Sequence, residues 1–131
     1  MNNADLLSIA KQFGGPLYVY DAEKIKFQYN RLSNAFSGVK NLKLNYATKA
    51  LSNISVLSYI QKLGAGLDTV SIQEVRLGLA AGFEPSTIIY TPNGVSLSEI
   101  EEVADLGVQI NIDNLSILEQ FGSKYPKTPV C

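Results

Sequence analysis

The feature that most constrains how this chain folds is a spacing. Apolar, β-branched or aromatic runs centred on Leu44, Leu67, Ile88 and Ile110 follow one another at steps of 23, 21 and 22 residues. Between them lie stretches of helical periodicity, each ending near a glycine. One short strand, one helix and two brief connections fill such a step. Strands alternating with helices at this pitch imply a parallel sheet with right-handed crossovers.

The punctuation agrees with the period. Ser52 or Asn53 suits the N-cap of a helix over "ISVLSYIQKLG", which Gly64 closes. "SIQE" (71–74) and "SLSE" (96–99) have capping-box spacing, in which serine satisfies one free helix amide and glutamate returns the bond. Asn114 caps "LSILEQFG". The strands are then "LKLNYATKAL", "AGLDTV", "STIIYT" and "VQINID", and Pro129, Val130 and Cys131 open a fifth. Upstream, "PLYVYD" (16–21) reads as a short strand. Asp21 caps a helix through "AEKIKFQYNRLSNAF", with Ile25, Tyr29, Leu32 and Phe36 at helical spacing.

Two architectures satisfy this order, an open doubly wound sheet and a (β/α)8 barrel. The even pitch of short units favours the barrel. The open dinucleotide fold also carries G-x-G-x-x-G after its first strand, whereas "GAGLDTV" has only G-x-G, ahead of a strand. The expected class is therefore α/β, the N-terminal half of a (β/α)8 TIM-type barrel, with four βα units preceded by a strand and helix. Residues 1–36 lead in, and residues 37–131 make the four units. Four strands out of eight read as a fragment, since a lone half barrel exposes two sheet edges.

Composition narrows the chemistry. At 131 residues, with 46% hydrophobic and 18% charged residues, the chain has the makings of one globular domain. A net charge of −1 offers no basic stripe for phosphates, which argues against a nucleic-acid partner. No apolar run approaches the ~20 residues of a membrane span, and "MNNADLLSIAKQF" lacks a signal-peptide pattern. The single cysteine, Cys131, allows no internal disulfide and suits a reducing cytoplasm. Without histidine, transition-metal sites and serine–histidine or cysteine–histidine pairs lack their usual parts. Lysine, carboxylates or a cofactor must carry any reaction.

The first strand supplies the main candidate. Period two sets Leu42, Leu44 and Tyr46 on one face and Lys43, Asn45, Ala47 and Lys49 on the other. In a barrel the apolar face meets the helices, so Ala47 and Lys49 are expected to point inward. Lys49 then stands at the C-terminal rim, where barrel active sites lie. A lone lysine at a strand end is ordinarily a solvated charge. A desolvated one at such a rim suits Schiff-base chemistry, because burial frees the amine. Asp68 interrupts an apolar strand and is placed to hold a cation, Lys49 included, or a polar cofactor edge. Ser71 and Glu74 first of all serve helix amides, Asn93 and Gly94 a turn, and Asp113 a cap. Parity does not settle which way Tyr90 faces.

These runs, in order and spacing, also carry a resemblance. "PLYVYD", "YATKAL", "GAGLDTVSIQEVRLGLAAGF", "IIYTPNGVSLSEIEEV" and "INIDNLSILEQF" resemble the N-terminal part of the diaminopimelate decarboxylase family. That family sits within the alanine-racemase-like, barrel-containing pyridoxal-phosphate decarboxylases. Y-A-x-K-A is the family's cofactor-lysine motif, and G-x-D-x-V-S-x-x-E follows it at the expected distance. The resemblance implies that Lys49 holds pyridoxal 5'-phosphate covalently and that Ala47 lies by its ring. It also implies that Asp68 and Ser71 line the cofactor site. The implied reaction removes a carboxyl group from meso-2,6-diaminopimelate, giving L-lysine and CO2, in a cytoplasmic homodimer. Ornithine-, arginine- or carboxynorspermidine-type decarboxylases are the alternatives, with a noncatalytic cofactor-binding fragment beside them. The family's ring-stacking histidine, glycine-rich phosphate cradle, pyridine-pairing glutamate and proton-donating cysteine on a C-terminal β-domain have no match here. The isolated chain is accordingly expected to be inactive. "PLYVYD" would join that β-domain and be left unpaired here.

Overall fold

A computed structural model describes all residues, Met1–Cys131, which form two compact units, Met1–Ala35 and Phe36–Cys131.

The first unit holds two helices. Helix α1 (Asn3–Phe13) starts at a full capping box that the sequence reading missed. Asn2 Oδ1 accepts from the Asp5 amide at 3.0 Å, and the Asp5 carboxylate accepts from the Asn2 amide at 2.8 Å. Helix α2 (Ala22–Ala35) starts at Asp21 as expected, whose Oδ1 accepts from the Lys24 amide at 3.2 Å. Asp21 Oδ2 holds the N-terminal ammonium at 3.0 Å. That bond above all, with the helix amides, keeps the half-buried Asp21 carboxyl below the usual range. Neither helix buries a residue.

The strand expected over Pro16–Asp21 is not formed. A strand exists only against a partner, and no segment pairs with this one. Its side chains stay outside, Tyr18 at 91% exposure.

The second unit is one parallel sheet in the order β1-β2-β3-β4. Its strands are β1 (Asn45–Ala47), β2 (Gly66–Thr69), β3 (Ile88–Tyr90) and β4 (Gln109–Ile110). The register pairs Tyr46 with Leu67, Leu67 with Ile88, and Tyr90 with Ile110. Helices α3 (Ile54–Lys62), α4 (Ile72–Ala80), α5 (Leu97–Asp105) and α6 (Leu115–Lys124) follow the four strands in turn. A parallel bridge from Ile110 to Val130 begins the fifth strand, with Ile112 donating to the Cys131 carbonyl.

Period two decides where the core lies. Leu67, Thr69, Ile88, Tyr90 and Ile110 face the helices and are fully enclosed with Leu57, Val75, Ile100, Val103 and Phe121. The alternate residues Gly66, Asp68, Ile89 and Gln109 form the other face and stay half-buried or exposed. Helix α4 lies close against β2 and β3 because Gly78 leaves room: a Cβ there would stand 2.6 Å from Leu67 Cδ2 and 3.3 Å from Ile88 Cδ1.

The caps form where the sequence puts them, with two changes of partner. Asn53 and Asn114 accept from amides two and three residues ahead. Ser71 accepts from Glu74, and Ser96 from Glu99. The returning half of each box goes elsewhere. Glu74 Oε2 accepts from Val70, one residue before the cap, at 2.8 Å. Glu99 leaves its own helix end altogether, as described below.

The strands are shorter than the apolar runs suggest. The run 42–51 is a strand only over Asn45–Ala47, and Thr48–Ala50 turns as a 3-10 helix. The run 108–113 is a strand only over Gln109–Ile110. Only these central residues of each run find ladder partners.

Candidate cofactor site at the C-terminal rim

Where β1 stops, the backbone closes a 3-10 turn, with the Leu51 amide donating to the Thr48 carbonyl at 3.1 Å. The turn packs on β2. It also ends the strand two residues before Lys49. Thr48 takes the buried position, and Lys49, one residue on, is exposed. The expected desolvation of Lys49 is therefore absent in this chain. Its amine joins none of the ion pairs and hydrogen bonds.

Ala47 and Asp68 meet as expected. They are register partners on the face turned away from the helices, both half-buried. A methyl and a carboxylate thus stand side by side, two residues before the lysine. The expected Asp68–Lys49 ion pair is not formed. Ser71 is the N-cap of α4, accepting from the Glu74 amide at 3.2 Å, so its oxygen already serves the helix. It stands two residues beyond the end of β2, on the same rim.

Asn93 and Gly94 follow β3 in a turn where Gly94 has φ 66°, a backbone that side-chain-bearing residues rarely adopt. Asp113 is exposed beyond β4, and Asn114 does the capping.

Tyr90 turns toward the helices. Its hydroxyl donates to Glu99 Oε1 at 2.6 Å, and the Ile72 amide donates to the same oxygen at 3.2 Å. Burial first, then the Glu99 carboxylate, raise the Tyr90 hydroxyl well above its ordinary value of 10.0.

Sequence reasoning missed two polar residues at this rim. Asn111 Nδ2 donates to Thr91 Oγ1 at 3.2 Å, just beyond β4 and β3. The Asn111 Oδ1 and Thr48 Oγ1 atoms are buried with no partner. The signal was available, because Thr91 and Asn111 continue the parity of Ile89 and Gln109 on the inner face. At the opposite end of the strands, Leu44, Asn45, Gly66, Thr87, Ile89 and Gln109 line a cavity of about 240 Å³. That hollow, which Lys43 also lines, lies away from Lys49.

Residues 22–131 match a family described as pyridoxal-dependent decarboxylase, pyridoxal binding domain. Diaminopimelate decarboxylase of Methanothermobacter thermautotrophicus is 38% identical over 128 residues, which are 97% of this chain and 30% of that protein. The Helicobacter pylori enzyme of the same name is 40% identical over 105 residues, 79% of this chain and 26% of that protein. Among solved structures, Helicobacter pylori diaminopimelate decarboxylase complexed with L-lysine has a TM-score of 0.81 at 33% identity, covering 95% of this chain and 32% of that one. Lysine/ornithine decarboxylase of Vibrio vulnificus complexed with putrescine has a TM-score of 0.84 at 28% identity, covering 95% and 34%. The chain spans about a third of the length of these relatives. The sheet is the N-terminal part of the barrel that the strand spacing predicts.

Proposed function

The chain belongs to the pyridoxal-dependent decarboxylases, and we propose from that premise that its rim anchors the cofactor of a diaminopimelate decarboxylase. In this reading residues 1–36 lead into the barrel, and residues 37–131 are its first four units. The parent reaction converts meso-2,6-diaminopimelate to L-lysine and CO2, in a cytoplasmic homodimer.

The observation that carries the proposal is the free amine of Lys49, one turn beyond the paired Ala47 and Asp68. The residues present fit pyridoxal phosphate in kind. Its aldehyde calls for an uncommitted amine, and Lys49 Nζ has no other bond. Its flat ring calls for a small neighbour, which Ala47 is. Its polar edges call for hydrogen-bonding partners, and Asp68 and Asn111 Oδ1 have capacity to spare. When bound, the cofactor supplies the electron sink for the carbanion left as CO2 departs.

The chain's own residues have distinct parts. Lys49 Nζ would hold the cofactor, and its amine would be a base able to carry a proton. Ala47 leaves clearance, where a longer side chain would fill the space beside Asp68. The Asp68 carboxylate favours a cationic group across from it and so orients the bound ring. Ser71 caps α4 at the rim, two residues beyond the strand that holds Asp68.

Substrate choice is argued from the relatives. Proteins named diaminopimelate decarboxylase reach 38% and 40% identity, and one solved relative holds L-lysine. A second reading, decarboxylation of ornithine or lysine, draws on the Vibrio vulnificus structure, whose identity is lower at 28%. Borohydride reduction of the chain with pyridoxal phosphate, followed by peptide mapping, tests the anchor. The label belongs on Lys49. Label on Lys40, Lys43 or Lys62 rejects the assignment.

A further inference from the structure

The segment Val70–Ile72 joins β2 to α4 and carries Ser71 two residues after the strand that holds Asp68. Two carboxylates from different helices grip its backbone. Glu74 Oε2 of α4 takes the Val70 amide at 2.8 Å, and Glu99 Oε1 of α5 takes the Ile72 amide at 3.2 Å. The Glu74 bond is local, four residues along the chain. The Glu99 bond reaches across 27 residues, from the next βα unit.

Glu99 occupies the last position of "SLSE", where a capping box would have it bond the Ser96 amide. It forgoes that bond. Its Oε1 meets the Ile72 amide and the hydroxyl of Tyr90, which is fully enclosed beneath it. A buried hydroxyl aimed at a carboxylate fixes that carboxylate more firmly than a solvated partner could. The side chain is therefore held from below by β3 and spends its reach on the neighbouring unit's turn.

We propose that Glu99 is a positioning residue for the rim: through the Ile72 amide it fixes the β2–α4 turn and thereby the placement of Ser71 and Asp68 beside Lys49. This rests on reading the rim as the cofactor site. Glu99 itself touches neither cofactor nor substrate in this scheme. It acts through a backbone amide, and Tyr90 acts through Glu99.

The test uses the full 131-residue chain with two readouts, residue-resolved hydrogen exchange and capture of pyridoxal phosphate at Lys49 by borohydride. In Glu99→Ala the Ile72 amide should exchange at least about tenfold faster, while core amides such as Leu57 stay protected. Capture at Lys49 should fall by about tenfold at limiting cofactor. Glu99→Gln keeps an acceptor oxygen and should restore both readouts to within about threefold of wild type. Glu99→Asp keeps the charge but is one methylene short, so it should resemble alanine; it serves also if the alanine variant does not fold.

Unchanged Ile72 exchange in folded Glu99→Ala or Glu99→Asp overturns the proposal. So does faster exchange with undiminished capture, which would make the bond merely structural. If the wild-type chain is labelled at another lysine, or at none, the cofactor reading falls and takes the functional half of this proposal with it. Exchange at Ile72 would still decide whether Glu99 holds the turn.

Discussion

Tyr90 and Glu99, nine residues apart, meet at 2.6 Å beneath the rim, a hydroxyl from a strand against a carboxylate from the following helix. The contact joins a residue whose facing was open in the sequence to one whose partner was misread there. Tyr90→Phe should cost about 1.5–3 kcal/mol at neutral pH, since a half-buried carboxylate loses its donor from a fully enclosed hydroxyl. Urea unfolding of both chains measures it.

The same pair sets an alkaline limit. The folded Tyr90 hydroxyl is held above its ordinary value of 10.0, so above that pH the unfolded chain releases a proton that the folded chain keeps. The contribution of this group is fully present below about pH 10 and declines as pH rises toward the folded value. Stability of the wild type should therefore fall above pH 10 more steeply than that of Tyr90→Phe. Parallel profiles for the two proteins would contradict this origin.

Lys49 should be irreplaceable as an anchor. Lys49→Ala and Lys49→Arg should both abolish borohydride-stable labelling, because a guanidinium stays protonated and cannot serve as the amine. Neither change should lower the unfolding midpoint much, since the side chain is exposed and unpaired. The 131-residue chain alone should turn over diaminopimelate negligibly, labelled or not, and measured CO2 release would refute that.

Two N-caps separate structure from site. Asn53→Ala and Ser71→Ala should each cost about 1 kcal/mol through loss of a helix cap. Only Ser71→Ala should also weaken cofactor capture, because only Ser71 stands on the proposed site. Equal effects on capture would reduce Ser71 to a cap.

Two glycines should differ in what they tolerate. At Gly78 an added Cβ meets only the tips of the Leu67 and Ile88 side chains, and the helix preference of alanine offsets part of that crowding. At Gly66 it meets the Thr87 carbonyl at 2.7 Å and the Asn45 side chain. A backbone oxygen cannot step aside without parting the strands. Gly66→Ala should cost about 2–3 kcal/mol and Gly78→Ala about 1 kcal/mol or less.

The βα order was legible because helix caps and strand runs repeat at one pitch; Asp21, Ser71, Ser96 and Asn114 cap where they were read, and of Ser52 and Asn53 it is Asn53 that caps. The parallel sheet follows from that order, and Ala47 and Asp68 do share its inner face. What the sequence could not show depends on contacts across units. The 3-10 turn at Thr48 ended the strand short of Lys49, and Lys49 stands exposed at the rim rather than buried. Glu99 looked like a local cap because the spacing is local, while its partners are Ile72 of the preceding unit and Tyr90 of its own unit's strand. "PLYVYD" has the composition of a strand, but composition supplies no edge to pair with. The helix at Asn3–Phe13 was missed although Asn2 and Asp5 have capping spacing.

The strand order β1-β2-β3-β4 bears on how the molecule comes to be made. Paired residues across the three ladders, and at the bridge beyond them, are 20 or 21 positions apart: Asn45 and Gly66, Leu67 and Ile88, Ile89 and Gln109, Ile110 and Val130. No ladder waits for a distant segment. Each new unit leaving the ribosome meets an edge its predecessor has just laid down, so the sheet can grow in the direction of translation, one unit at a time. Glu99 then acquires a second meaning: the unit that brings it is the one that locks the turn of the unit before.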